Sequence, residues 1–173
     1  MGQYYRVYLQ EESTGNEKIL NRNVDGEYTM AKLMEHSWIG NTFVDAVCAL
    51  LYKTPQQIAW VGDYADESEV YEKVWESDGE DVSATDFKLD GKYIVNHTKK
   101  IYIDCDNYKI KNEDSDGWTV HPIPILTCIG NGRGGGDYRG QSMEIVGDWY
   151  MNTISIEEMP PENYTQVIYE FKE

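Results

Sequence analysis

The chain has few of the features that mark secreted, membrane-spanning or disulfide-bonded proteins. It has three cysteines in 173 residues, Cys48, Cys105 and Cys128, and no two of them have CxxC spacing. A sparse, odd set of this kind is typical of buried thiols in a reducing compartment. The sequence also has no apolar run of 18 residues and no charged-then-apolar leader. We therefore expect a cytoplasmic protein without a membrane span.

Basic residues are also scarce. Lys and Arg together number 15 against 31 Asp and Glu, which gives a formal net charge of −16. A surface of this sign repels the phosphates of nucleic acids and of anionic lipids, so neither is an expected partner. A basic protein partner fits the charge, although plain solubility explains it as well. The most acidic stretch, residues 63–90, has eleven acidic residues and two lysines.

The hydrophobic pattern predicts one α+β domain over residues 1–173. Apolar residues make up 40% of the chain, which is enough for a core in a domain of this size. Alternation and apolar runs predict strands at residues 3–9, 18–20, 57–61, 93–95, 101–103, 123–129, 143–146, 153–156 and 166–171. Helical spacing predicts helices at residues 42–53, capped by Asn41 or Thr42, and 66–77. Residues 112–117 are a predicted polar loop. We expect a mainly antiparallel sheet with one or two helices packed on it.

The segment with the strongest indication of ligand contact is residues 130–140, here called the glycine loop. Six of its eleven residues are glycine, and glycine permits left-handed backbone and close approach of a ligand. Successive backbone N–H groups in such a loop form nests that bind anions. Arg133 and Arg139 add guanidinium groups suited to phosphate or carboxylate. The loop is neither a P-loop nor a dinucleotide fingerprint, because it lacks the Gly-Lys-Ser/Thr ending and a following helix. A flexible hairpin tip is the alternative interpretation.

A second candidate segment, residues 32–41, precedes the first predicted helix. It combines a carboxylate, an imidazole, an indole and an amide within ten residues. Trp38 would stack on a base or a sugar, and His36 would act as a general acid or base. The alternative places Trp38 in the core and makes His36 a hydrogen-bonded corner. Both segments together give the predicted ligand-binding set, which is Arg133, Gly134, Gly135, Asp137, Tyr138, Arg139, Lys32, Glu35, His36, Trp38 and Asn41.

The three histidines give no metal signature, because His36, His97 and His121 lack spacings such as HxH or HExxH. We expect no metal and no cofactor. If the protein is an enzyme, the catalytic candidates are His36 or His97 as acid or base, with Asp63 or Asp137 as partner.

The sequence contains one internal similarity, or echo, between residues 60–64 and residues 145–149. Each segment is a predicted strand end followed by Gly, Asp and an aromatic residue. Gly and Asp both suit turns, so the same transition from strand to turn at the two places explains the similarity.

Several stretches together carry a resemblance to other proteins. They are residues 1–5 (MGQYY), 32–38 (KLMEHSW) with Asn41, 60–65 (WVGDYA), 96–100 (NHTKK) and 121–138 (HPIPILTCIGNGRGGGDY). The chain thereby resembles an uncharacterised family of bacterial and phage hypothetical proteins. The resemblance implies a bacterial or phage cytosolic origin, and it implies no activity, ligand or catalytic residue.

Three functional hypotheses remain open from the sequence. The first is a binding module that holds an anionic, nucleotide-like small molecule through the glycine loop. The second is a hydrolase or transferase acting on a similar substrate. The third is an acidic interaction protein, for example a phage-encoded inhibitor that occupies a basic surface of a host protein. The arginines of the glycine loop favour the first hypothesis, and the net charge favours the third.

Overall fold

The computed structural model describes residues 1–108 and 118–171, so the predicted loop at residues 112–117 lies outside the described residues. The strands are β1 (Tyr5–Glu11), β2 (Glu17–Val24), β3 (Glu27–Tyr28), β4 (Gln56–Gly62), β5 (Glu80–Val82), β6 (Tyr93–Asn96), β7 (Ile101–Asp104), β8 (Cys128–Ile129), β9 (Thr153–Glu157) and β10 (Thr165–Gln166). The helices are α1 (Leu33–His36), α2 (Thr42–Leu51), α3 (Glu69–Trp75) and α4 (Pro122–Thr127). Two 3-10 turns, Cys105–Tyr108 and Met143–Ile145, complete the described elements.

The strands form one mixed sheet. Its order is β10-β7-β6-β9-β4-β1-β2-β3, with β5 beside β2 and β8 beside β4. The pairs β2–β5, β4–β8 and β7–β10 are parallel, and the other pairs are antiparallel. The α+β class is therefore confirmed in its coarse form. The expected detail was imprecise, because parallel pairs occur and the described residues contain four α-helices rather than one or two.

Both faces of the central strands are buried, against different layers. In β1 and β4, Val7, Leu9, Ile58 and Trp60 point to the main core, which also contains α2 and α4. The intervening Tyr8, Ala59 and Val61 point to a smaller cluster beneath α3. Successive side chains of a strand face opposite sides of the sheet, so each of these strands supplies residues to both layers.

Side-chain caps fix the starts of the two longer helices. Asn41 Oδ1 accepts hydrogen bonds from the N–H groups of Phe43 and Val44 at 3.0 and 3.1 Å, which confirms Asn41 as the cap of α2. The third helix begins at Glu69 instead of residue 66, because Ser68 Oγ accepts from Tyr71 N at 3.1 Å and forms the cap. Asp66, the expected start of that helix, binds Arg133 instead.

The predicted strand at residues 123–129 was wrong over most of its length. Residues Pro122–Thr127 form helix α4, and only Cys128–Ile129 form a strand. Pro122 begins the helix, where its fixed φ fits and its missing N–H leaves no bond unmade. All six residues of α4 are buried, so the helix shows no polar face, and a short run that is apolar on every side does not distinguish a helix from a strand.

Two other predicted strands differ as well. Residues Met143–Ile145 form a 3-10 turn, closed by local bonds from Ile145 N to Ser142 O and from Val146 N to Met143 O. The last strand is limited to Thr165–Gln166. Beyond it, the Tyr108 hydroxyl donates to Tyr169 O at 2.6 Å and accepts from Tyr169 N at 3.0 Å. The Tyr108 hydroxyl thus satisfies the Tyr169 backbone groups, which in a longer strand would bond to a neighbouring strand.

Candidate functional site

The glycine loop is a backbone nest that is filled by the protein's own carboxylate. Asp137 Oδ2 accepts hydrogen bonds from the backbone N–H groups of Gly132, Arg133 and Gly134 at 2.8, 3.1 and 3.0 Å. Gly132 has φ +90°, a left-handed conformation that glycine adopts without strain. The predicted anion-binding geometry is therefore present, and the anion is Asp137. These three N–H groups are not free to bind a ligand.

The N-terminal segment completes the same network. Gln3 is fully buried, and its Nε2 donates to Asp137 Oδ2 at 2.9 Å and to Gly130 O at 2.7 Å. Its Oε1 accepts from Tyr64 N at 3.1 Å. The Tyr5 hydroxyl donates to Asp137 Oδ1 at 3.0 Å. Burial, together with the nearby Cys128 and Asp137, raises the pKa of Tyr5 far above its usual value, so the hydroxyl stays a donor.

Close packing on Gln3 explains why glycine is needed in the loop. A Cβ atom on Gly134 would lie 2.5 Å from Gln3 N, and one on Gly130 would lie 2.3 Å from Gln3 Oε1. Gly135 N also donates to Met1 O at 3.2 Å. The glycines thus let residues 1–5 lie directly against the loop, and this structural role requires no ligand.

The two loop arginines have different surroundings. Arg133 forms a two-pronged ion pair with Asp66, at 2.7 and 2.9 Å, and also donates to Tyr64 O at 3.1 Å. Both charged groups are exposed, so the pair is one that a ligand anion could replace without breaking the fold. Arg139 is exposed. Tyr138 is fully buried, and its backbone pairs with the side chain of Asn131.

The structure brings only the start of the second segment to the glycine loop. The Lys32 side chain lies against Gly136, and Met34 N donates to Gly136 O at 2.8 Å. Glu35 closes the first turn of α1 by accepting from Lys32 N at 3.1 Å. Trp38 Nε1 donates to Met34 O at 2.7 Å, and Asn41 caps α2. The bonds of Glu35, Trp38 and Asn41 thus serve helices α1 and α2.

His36 lies in the core. Its Nε2 accepts from Trp60 Nε1 at 2.8 Å, so the ring proton is on Nδ1, which lies 3.1 Å from Met30 O. Burial lowers the pKa of His36 to about 4. The side chain is therefore neutral near pH 7 and shielded from solvent. This position matches the interpretation of His36 as a hydrogen-bonded corner.

The other catalytic candidates are also engaged in structural bonds. His97 Nε2 lies 2.7 Å from Ser155 Oγ, and its Nδ1 lies 3.3 Å from the Tyr164 hydroxyl. Burial lowers the pKa of His97, against the opposing effect of Glu157. Asp63 Oδ1 accepts from Tyr4 N at 3.0 Å. These bonds of His36 and His97 do not lead to Asp63 or Asp137.

One contact between possible catalytic groups was not expected from the sequence. His121 Nε2 lies 3.5 Å from Cys48 Sγ, although the two residues are 73 positions apart. His121 Nδ1 accepts from Ile123 N at 3.2 Å, so its proton is on Nε2 and faces the sulfur. In a Cys–His nucleophile the nitrogen facing the thiol must be free to take its proton. Burial raises the pKa of Cys48 and lowers that of His121 to about 3, so neither group is charged.

A cleft of about 480 Å³ lies beside the glycine loop. It is lined by Ala65, Asp66, Glu67, Ser68, Cys128, Ile129, Gly130, Asn131, Arg133, Val146, Gly147 and Tyr150. Of the predicted ligand-binding residues, only Arg133 is among them. Ser68 and Tyr150 line the cleft and were not among the residues predicted from the sequence. The echo between residues 60–64 and 145–149 is the one sequence feature that indicates this cleft, because it includes the cleft residue Gly147.

Two further properties concern metals and membranes. In residues 1–108 and 118–171, no group of three or more His, Cys, Asp or Glu side chains is arranged to hold a metal ion. Within the same ranges, no helix has the length and apolar character that crossing a membrane requires.

Comparisons with known proteins add no relative. The chain matches no protein-family model, no curated protein and no solved structure. The resemblance to bacterial and phage proteins therefore stays a prediction.

The Asp137 network generates a prediction about stability. We expect Asp137→Ala to lower the free energy of unfolding by about 3 kcal/mol or more, because the buried Gln3 amide and Tyr5 hydroxyl lose their acceptor and each buried donor left unpaired costs about 1–3 kcal/mol. Asp137→Asn keeps the shape and one acceptor, so a smaller loss is expected. Urea unfolding measures both. Asp66→Asn is the control, since its exposed pair with Arg133 should contribute little. A loss in Asp137→Ala no larger than in the control would refute the role of the network.

The histidines generate a prediction about pH. In NMR titration, the His36 and His121 rings should stay neutral from pH 8 to pH 5, and His97 should titrate below the usual value of about 6.5. The unfolded chain takes up these protons near pH 6.5, so stability falls as the pH drops below that value. For His36 the loss amounts to about 3 kcal/mol once the pH reaches its folded pKa of about 4. A His36 titration near pH 6.5 would contradict its burial.

Proposed function

We propose that the protein is an acidic interaction protein that binds a basic surface of another protein. The observation that carries the proposal is the acidic stretch of residues 63–90 with its eleven Asp and Glu residues, here called the acidic face after the row of carboxylates on helix α3. Ten of these side chains are exposed, and Asp63 is half-buried. A concentrated negative field of this kind attracts and orients a positively charged partner.

Helix α3 supports the proposal through the division of its side chains. Val74 is buried and Val70, Tyr71 and Trp75 are partly buried against the sheet. Glu69, Glu72 and Glu76 lie three and four residues apart and are exposed. Residues at these spacings share one side of a helix. The helix therefore uses its apolar side for folding and presents a row of carboxylates to solvent.

The lysines of the acidic face leave most of its charge unbalanced. Lys73 Nζ lies 2.6 Å from Glu17 and 3.4 Å from Glu69, and Lys88 Nζ lies 3.8 Å from Asp45. Two cations thus stand among eleven carboxylates in residues 63–90, and each already faces a carboxylate. Repulsion between the remaining charges disfavours the isolated protein, and a partner's Lys and Arg side chains would relieve it.

The class of partner follows from the sign of the field. Nucleic acid is repelled, whereas a protein surface that itself binds phosphates has the required positive charge. In a phage, such a protein would act as an inhibitor that occupies a basic host surface. The net charge of −16 and the exposed carboxylates of α3 support this form of the proposal.

A local binding face predicts more than a dependence on net charge. Fluorescence anisotropy with a labelled Lys/Arg-rich peptide should show about tenfold weaker binding for the triple variant Glu69→Gln, Glu72→Gln, Glu76→Gln. Three exposed charges at roughly 0.5 kcal/mol each give a loss of this size.

The matched control changes the same number of charges elsewhere. Glu12, Glu144 and Glu162 are exposed and lie outside the acidic face, and their replacement by Gln should change the affinity much less. Equal losses in the two triple variants would mean that only net charge matters. That result would overturn the proposed face.

A second candidate function, binding of an anionic nucleotide-like molecule, is favoured by the cleft beside the glycine loop. Because Asp137 fills the nest, the ligand's anion would meet the Arg133 guanidinium instead of the backbone. It would have to displace Asp66, whose exposed carboxylate now holds that position at 2.7 Å. Ser68 and Tyr150 would line the same cleft. The hydrolase or transferase alternative has no comparable support, because His36 is buried and Asp137 is bonded within the loop.

Thermal-shift measurements with nucleotides and sugar phosphates test this second candidate. A bound ligand raises Tm with its concentration. Arg133→Ala should abolish the shift, and Asp66→Asn should increase it by removing the competing carboxylate. Arg139→Ala is the control, because Arg139 is an exposed arginine of the same loop outside the cleft. A shift that survives Arg133→Ala would exclude this site.

A further inference from the structure

A second cavity is formed by residues outside the glycine loop, and a carboxylate is part of its lining. Its volume is about 400 Å³, and its walls include Ile39, Asp45, Lys88, Leu89, Cys105 and Tyr108. Cavities of roughly 300–1,000 Å³ with apolar walls and a few polar groups are the usual form of small-molecule sites. None of these six residues belongs to the cleft beside Arg133.

Apart from the charged Asp45, Lys88 and Asp90, the cavity is lined by uncharged residues. Leu89, Cys105 and Tyr108 belong to the main core. The Tyr108 hydroxyl is engaged with Tyr169, so the residue presents its ring. Burial raises the pKa of the Cys105 thiol to about 12, which keeps it neutral. The walls therefore suit a ligand with a small apolar body.

Asp45 is the polar group that is built into this wall. Its side chain is 8% exposed, although it is a carboxylate in the first turn of α2. Its counterion, Lys88 Nζ, lies 3.8 Å away, beyond hydrogen-bond distance, and the Lys88 side chain is 64% exposed. Burial raises the pKa of Asp45, and Lys88 only partly opposes the shift. A largely buried carboxylate with so loose a counterion would be stabilised by a closer cation or hydrogen-bond donor.

We propose that this cavity binds a small cationic ligand, a primary ammonium or amidinium on a compact apolar body, with Asp45 as the group that recognises the charge. The ligand's N–H groups would bond the carboxylate, and its body would lie against Ile39, Leu89 and Tyr108. Lys88 would move into solvent when the ligand enters, because its side chain is already largely exposed. The negative field of the whole protein would concentrate such cations near the surface.

Asp45 also stabilises α2, since an acidic residue in the first turn favours the helix dipole. That role explains a carboxylate at this position, but it does not explain the cavity or the exposed, loosely placed lysine. The two roles make different predictions. A purely structural Asp45 would bind no added amine, and a recognition group would.

Three probes of similar shape separate charge from size. They are 2-phenylethylamine, the neutral 2-phenylethanol and the anionic 3-phenylpropanoate. We expect the amine to bind with backbone NMR shifts at Ile39, Leu89 and Cys105, and the neutral and anionic probes to bind about tenfold more weakly or not at all. A charge-assisted hydrogen bond accounts for a difference of this size. Equal binding of amine and alcohol, or no shifts at these residues, would overturn the proposal.

Variants give an independent check. Asp45→Asn should weaken amine binding about tenfold and leave the alcohol unchanged, whereas Asp86→Asn, which changes an exposed carboxylate outside the cavity walls, should have little effect. If Asp45→Asn does not fold, Lys88→Ala still decides the matter, because Lys88 is exposed. Removing this competing cation should strengthen amine binding several-fold. Unchanged or weaker binding in Lys88→Ala would contradict the site.

Discussion

One buried carboxylate holds together segments that are far apart in the sequence. Asp137 Oδ2 accepts four N–H groups, three from the glycine loop and one from Gln3, and Oδ1 accepts the Tyr5 hydroxyl. Gln3 in turn binds Gly130 O and Tyr64 N. The loop, the N-terminal segment and the turn after β4 therefore share one set of bonds. Because a carboxylate with several N–H partners is held more strongly than a neutral acceptor, this network fixes the order of the loop.

The same network limits which groups of the glycine loop are available to bind a ligand. The backbone N–H groups that would bind an external anion are already occupied by Asp137, so an anion at this end of the sheet would meet the Arg133 side chain instead. His36 and His121 are buried and neutral. Much of the remaining charge is carried by exposed carboxylates, which are densest between residues 63 and 90.

The candidate sites share a physical arrangement. Arg133 is held by the exposed Asp66, and Asp45 is held by the exposed Lys88. Lys73 similarly stands between Glu17 and Glu69. In each case the chain supplies its own counterion from a solvated side chain, whose contribution is small. A partner or ligand of the right charge would exchange with that counterion, so each proposal concerns competition within an existing pair.

The sequence by itself determined the charge, the α+β class, the strand character of β1 and β4, and the Asn41 cap of α2. These properties depend on composition or on neighbours within a few residues. It also indicated the nest in the glycine loop, because glycine spacing is local. Only the tertiary structure decided that Asp137 fills the nest, that His36 is buried against Trp60, and that residues 122–127 form a helix. Those outcomes depend on long-range contacts, such as the one between Gln3 and Asp137 across 134 positions, and no local pattern encodes them.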